Sequence, residues 1–223
     1  MLTESVPRIL FVHLAKTGGI SVRRLLCDQP AVTAFDCVHH QHLLQFRAGM
    51  MLSRFVWNSS QLGPYDVAFL MVRHPLQRLI SCYRYFMAGG LNQRHPGRFP
   101  ADAELQDYLR SEAPSLAVCC SRLDQIAQRI DHFKPMTYWL DRLPNPLASL
   151  VMVGRQEQMN ADLARILPAC GKPFDAAKVP HRNNSAAIAC PPLLDQASLH
   201  SVHDFYASDY QRFGYSQSVG EGL

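Results

Sequence analysis

The feature that most constrains this chain is a short apolar run that passes through a glycine-rich turn into an amphipathic stretch. Ile9, Leu10, Phe11 and Val12 form the run, and four consecutive apolar residues suit a strand buried on both faces of a parallel sheet. Glycines follow at 18 and 19, and then Ile20, Val22, Leu25 and Leu26 recur at the spacing of one helical face. A strand that feeds a helix in this way opens a βαβ unit. The same order returns at residues 67–72, where an apolar run is followed by Arg73, His74 and Pro75. Leu79, Ile80 and Tyr83 then stand at helical spacing, and proline suits a helix's first turn.

The rest of the chain reads in the same alternation. Residues 31–35 give a weaker second strand, with the histidines of 39–42 beyond its end, and residues 149–153 give another short buried strand. Helical stripes are predicted at 114–130, 159–167 and 193–213, the last ended by Gly214. Residues 91–100, rich in Gly, Pro, Asn and Arg, read as a mobile loop, and residues 216–223 as a disordered tail. Strands alternating with helices predict an α/β fold, a three-layer α/β/α domain with a central parallel sheet. Its ligand should lie beyond the carboxyl ends of the strands, where the loops after Val12, Phe35 and Val72 open.

Composition narrows the class. A chain of 223 residues, 48% hydrophobic and 18% charged, fits one domain spanning 1–223. Its formal net charge of +4 favours an anionic ligand, but the basic residues form no run that could track a nucleic-acid backbone. No apolar stretch approaches the roughly 20 residues of a transmembrane helix, and the N-terminus lacks a signal-peptide pattern, so a cytoplasmic location is expected. Seven cysteines, odd in number and without a CxxC pair, read as mostly buried thiols.

Lys16, Thr17, Gly18, Gly19, Ile20 and Ser21 place a cation, two hydroxyls and two glycines between a buried strand and a helix start. Glycines let backbone N–H groups approach a phosphate, the helix start adds unpaired donors and partial positive charge, and Lys16 adds a full charge. The plainer alternative is a tight turn with a solvated lysine. A nucleoside-triphosphate loop would need GxxxxGK and then Ser or Thr, a spacing absent here. The strand at 67–72 ends in Arg73, where such proteins often place a Mg²⁺-binding aspartate. The pattern suits an anion bound without a metal. Arg73 offers a planar fork and Ser81, eight residues on, a further donor, a pairing that suits a terminal phosphate.

KTGG at 16–19 after a first strand resembles the 5′-phosphosulfate loop of sulfotransferases that use 3′-phosphoadenosine 5′-phosphosulfate (PAPS). Arg73, His74, Pro75, Arg78 and Ser81 resemble the same family's 3′-phosphate segment. The KTGG form is most similar to the carbohydrate sulfotransferases, which include the heparan and chondroitin enzymes, and to their small bacterial relatives. Pro135 to Trp139, Val151 to Gly154 with Glu157, His181 to Ser185, and Asp209, Tyr210, Phe213, Gly214 and Tyr215 extend the likeness in order. Two departures are Ala15 where the family often has proline and Ile20 where it often has threonine.

The resemblance implies transfer of a sulfuryl group from PAPS to an acceptor hydroxyl, on a glycan or glycolipid, with PAP as product and no metal. Lys16 would serve the leaving oxygen. An imidazole suits removal of the acceptor's proton near neutrality, and some relatives use a histidine after the second strand, which makes His40 the first candidate base and His42 the second. The plainer reading of either is a solvated histidine. A zinc site at His39, His40 and His42 lacks a local fourth ligand. Two other readings stay open: a nucleotide-dependent kinase or hydrolase on a similar scaffold, and a non-catalytic protein that keeps the cofactor-like fold.

Overall fold

A computed structural model describes residues 9–27, 35–39, 67–143, 151–169 and 194–217. The strands β1 (Ile9–His13), β2 (Phe35–His39), β3 (Val67–Val72) and β4 (Val151–Arg155) form one parallel sheet in the order β2-β1-β3-β4. The fold is therefore α/β with a parallel sheet. In register, Ile9 stands opposite Phe35 on one side and Val67 on the other, and Ala68 stands opposite Val151. The second strand is described over Phe35–His39, paired along the whole length of β1 to His13–His39, and of the predicted 31–35 only Phe35 lies within the described residues. Residues 31–34, His40, His42, 181–185 and 218–223 lie outside the described residues.

The chain forms two compact units, Met1–Arg73 with Tyr138–Asn183, and His74–Thr137 with Asn184–Leu223. The first holds the sheet with α1 (Gly19–Cys27). Its other long helix, Met159–Ala169, follows β4 through a single 3₁₀ turn at Gln156–Gln158. Phe11, Phe69 and Met71 from the strands pack with Val22 and Leu25 of α1 and with Leu163, Ile166 and Leu167. Ile20, predicted on the same apolar face as Val22 and Leu25, is instead 43% exposed. The turn into Met159–Ala169 is fixed by Asp162, which accepts from the Arg155 N–H at 2.7 Å.

The second unit is helical: α2 (Pro75–Met87), α3 (Pro100–Glu112), α4 (Leu116–Ser121), α5 (Leu123–Arg129), the start of α6 (Met136–Leu140), and, after α7 (Met159–Ala169) of the first unit, α8 (Gln196–Phe205) and α9 (Ala207–Phe213). Pro75 occupies the first turn of α2, as expected. Leu76, Leu79, Phe86, Leu109, Leu123, Ile126, Val202 and Tyr206 belong to its core. The stripe predicted as one helix over 114–130 is two, because the backbone at Arg122 (φ −122°, ψ 20°) leaves helical geometry. Arg122 Nη1 donates to the Glu112 carbonyl at 2.7 Å and Nη2 pairs with the Glu112 carboxylate at 2.8 Å. The stripe predicted over 193–213 likewise breaks at Tyr206, whose hydroxyl is drawn to the Phe133 carbonyl at 2.6 Å. Gly214 ends α9 with φ 61°, as expected.

Cys82, Cys119 and Cys120 are buried free thiols in this core. Burial, aided by the neighbouring Asp195, pushes the Cys120 pKa up to about 12. The 91–100 loop is tied at its base: Asp102 accepts from the Leu91 N–H at 2.6 Å and from the Tyr85 hydroxyl at 3.2 Å, and Asn92 accepts from the Gly97 N–H at 2.8 Å.

Candidate active site

From β1 the chain steps out to β2 and then returns past β1 to β3, so the β1–β3 junction is where it reverses direction across the sheet. Open parallel sheets bind ligands beyond the strand carboxyl ends at such a point. Residues 16–21 leave the sheet after β1, and Arg73 directly follows β3.

The turn after β1 has a distinctive backbone. Lys16 has φ 63° and Gly18 φ 84°, whereas Thr17 and Gly19 keep negative φ. Residues of alternating hand turn successive N–H groups toward one side, the geometry of an anion-binding nest. The carbonyls are tied down. Thr17 Oγ1 donates to the Leu14 carbonyl at 3.0 Å, Arg73 Nη1 donates to the Lys16 carbonyl at 3.4 Å, and the Gly18 carbonyl accepts from the N–H groups of Ser21 at 3.0 Å and Val22 at 3.3 Å. The amides before Ser21 enter α1 at the stage where a helix has no internal acceptor for them, and the helix start adds partial positive charge.

Each predicted residue of this turn has a distinct part. Lys16 is half-buried and carries the cation. Thr17 is fully buried and its one hydroxyl proton is committed to Leu14, so it can donate to an anion only through its backbone. Ile20 offers only its backbone N–H, and Ser21 is buried one turn into the helix. Gly19 is required by close packing and Gly18 by its φ of 84°. A Cβ on Gly18 would meet the Met159 terminal methyl, with Gln156 Cγ 3.4 Å away, and a Cβ on Gly19 would run into the His13 imidazole. These backing roles of His13, Gln156 and Met159 were not legible as site features. Only the position of His13 at the strand end, six residues before Gly19, hinted at one of them.

Arg78, part of the second segment, proves structural. It is 1% exposed and donates to the His132 carbonyl at 2.8 Å and the Lys134 carbonyl at 3.0 Å. Ser81 is half-buried on α2 in the second unit. His74 Nε2 lies 3.1 Å from the Ser216 carbonyl, and its ring meets Tyr210 and Tyr215 edge-on at 5.5 and 5.4 Å. Asp209, fully buried, accepts from the N–H groups of Met136 and Thr137 and from the Thr137 hydroxyl, each at 2.8 Å. Two late stretches noted in the sequence, 135–139 and 209–215, are thus joined. His40 and His42 lie outside the described residues; β2 ends on His39, which pairs with His13.

An alternating-hand turn beside a lysine and an arginine stands at the switch point of a parallel sheet in an α/β protein. The chain belongs to the sulfotransferase family, which it matches over residues 1–216, and is thereby a transferase by family. No curated protein and no solved structure matches it. Among the described residues, no helix is long and apolar enough to cross a membrane, and no three His, Cys, Asp or Glu side chains converge as a metal site.

Proposed function

We propose that this protein transfers a sulfuryl group from PAPS to a hydroxyl of a carbohydrate or glycoconjugate, acting in the cytoplasm as a small bacterial-type member of the carbohydrate sulfotransferase branch on a three-layer α/β/α scaffold. The observation that supports this most is the contact between Arg73 Nη1 and the Lys16 carbonyl, which joins the two segments that resemble the family's phosphate-binding motifs. The turn fits such a donor: its alternating backbone suits a 5′-phosphosulfate, with Lys16 beside it.

PAPS supplies the sulfuryl group. The backbone N–H groups of residues 17–20 bind and orient the 5′ end, and Arg73 with Ser81 receives the 3′-phosphate by the family resemblance. Lys16 neutralises charge on the phosphate oxygen as its bond to sulfur breaks. The acceptor oxygen forms the new bond to sulfur, and its proton passes to an imidazole, with His40, the first residue past β2, as base and His42 as the second candidate.

Calorimetric titration tests this reading. Tight binding of PAP with little response to Mg-ATP is expected. A preference for Mg-ATP would point to a kinase or hydrolase, and binding of neither by folded protein to a non-catalytic role. Lys16→Ala should lower the rate of sulfuryl transfer about 10²–10³-fold; full activity in that variant would remove Lys16 from the mechanism.

A further inference from the structure

We propose that Arg73 is a positioning residue for the turn after β1, holding Lys16 in its left-handed conformation so that the ammonium and the following amides face a 5′-anion. This role adds to any contact with a 3′-phosphate, and its bearing on catalysis rests on the cofactor reading above.

Lys16 is the one non-glycine residue with positive φ among the described residues. A side chain in that region crowds Cβ against its own carbonyl, so the conformation persists only where the surroundings hold it. The register explains why Arg73 can do so. Val12 stands opposite Leu70, and Arg73 leaves β3 three residues beyond that pair while Lys16 leaves β1 four residues beyond it. Arg73 Nη1 donates to the Lys16 carbonyl at 3.4 Å.

Holding that carbonyl also sets the next amide. A trans peptide is planar, with its C=O and N–H pointing opposite ways, so drawing the Lys16 oxygen to Arg73 turns the Thr17 N–H to the other side. Its neighbours use the same device by local means. Thr17 holds the Leu14 carbonyl, and Ser21 and Val22 hold that of Gly18. The Lys16 carbonyl is held by a distant side chain, that of the residue directly after β3. An arginine suits this task because its fork offers several donors in a fixed plane.

The test compares wild type, Arg73→Ala and Arg73→Lys. In ligand-free protein, amide exchange at Ser21 and Val22, whose N–H groups bond to the Gly18 carbonyl, should quicken about tenfold in Arg73→Ala as the turn loosens on loss of a charge-assisted hydrogen bond. Exchange at Phe11 and Phe69 should be unchanged, and Arg73→Lys should restore part of the protection. AMP, which lacks a 3′-phosphate, should bind Arg73→Ala about tenfold more weakly, and PAP more weakly still. Unchanged exchange at Ser21 and Val22 would overturn the proposal, as would unchanged AMP affinity beside weakened PAP binding, since Arg73 would then serve the 3′-phosphate alone. Should Arg73→Ala not fold, Arg73→Gln, which keeps an amide donor without the charge, carries the same comparison. Wild type that binds neither nucleotide would count against the cofactor reading, while the ligand-free exchange data would still decide the role of Arg73.

Discussion

Two turns in this protein each lead into a helix and use their backbones in opposite ways. At residues 131–137 the chain's own side chains occupy the backbone groups. The His132 carbonyl accepts from Arg78 at 2.8 Å and from the Cys82 thiol at 3.3 Å, the Phe133 carbonyl from Tyr206 at 2.6 Å, and the Lys134 carbonyl from Arg78 at 3.0 Å. Asp209 then caps α6 through the N–H groups of Met136 and Thr137. At residues 14–19 the carbonyls are tied in a comparable manner, but α1 has no acidic residue in its first turn. One helix start carries its carboxylate permanently; the other, on the function proposed above, takes its anion from solution. On that reading the difference separates a turn that serves stability from one that serves binding.

The sharpest way to break this comparison is at Asp209. Asp209→Ala leaves buried donors at Met136 and Thr137 unpaired and should cost about 3 kcal/mol or more in urea unfolding. Asp209→Asn should rescue little, because the two amides use different carboxylate oxygens and an asparagine has only one. Folded protein of either variant should bind PAP as wild type does; a specific loss of PAP binding would show that the two turns are not separate in function.

A smaller effect on stability and a larger one on binding are expected at the glycines. Gly19→Ala meets the rigid His13 ring and should cost about 1–3 kcal/mol, with weakened PAP binding. Gly18→Ala meets the movable end of Met159, so its φ of 84° is the main strain, worth about 1–2 kcal/mol. His13→Ala combined with Gly19→Ala should recover part of the loss. Absence of any recovery would mean that the ring is not what excludes a side chain there.

The smallest signal comes from the thiols. Burial raises the Cys120 pKa to about 12, and Cys119 is raised further by burial and the neighbouring thiols. At pH 8 both are almost wholly protonated, so a disulfide reagent should reach them only as the core opens. Asp209→Ala should speed that reaction, and an unchanged rate would weaken the link between the capped turn and this core.

What the sequence made legible was local. The β1 turn and α1, the Arg73 strand end, Pro75 in the first turn of α2 and the stop at Gly214 all follow from short patterns whose causes lie within a few residues. What it hid was set by distant partners. The break at Arg122 depends on Glu112, and the break at Tyr206 on Phe133, so helical periodicity ran through both. Arg78 shares a motif with Arg73 yet points its guanidinium into the core, a distinction that spacing cannot carry. The continuation of the second strand to His39 was hidden too, because it follows pairing with β1 rather than local apolar content.

The cap on α6 also sets a timetable for synthesis. Asp209 lies 73 residues after Met136, so a ribosome adding about 5–20 residues per second needs roughly 4–15 seconds to supply it once Met136 is made. Throughout that interval the amides of Met136 and Thr137 must rely on water, and the turn at 131–137 can close only once residue 209 has been made. A polypeptide cut short before residue 209 would carry the complete β1 turn and Arg73, yet lack the last group needed to seal its helical unit.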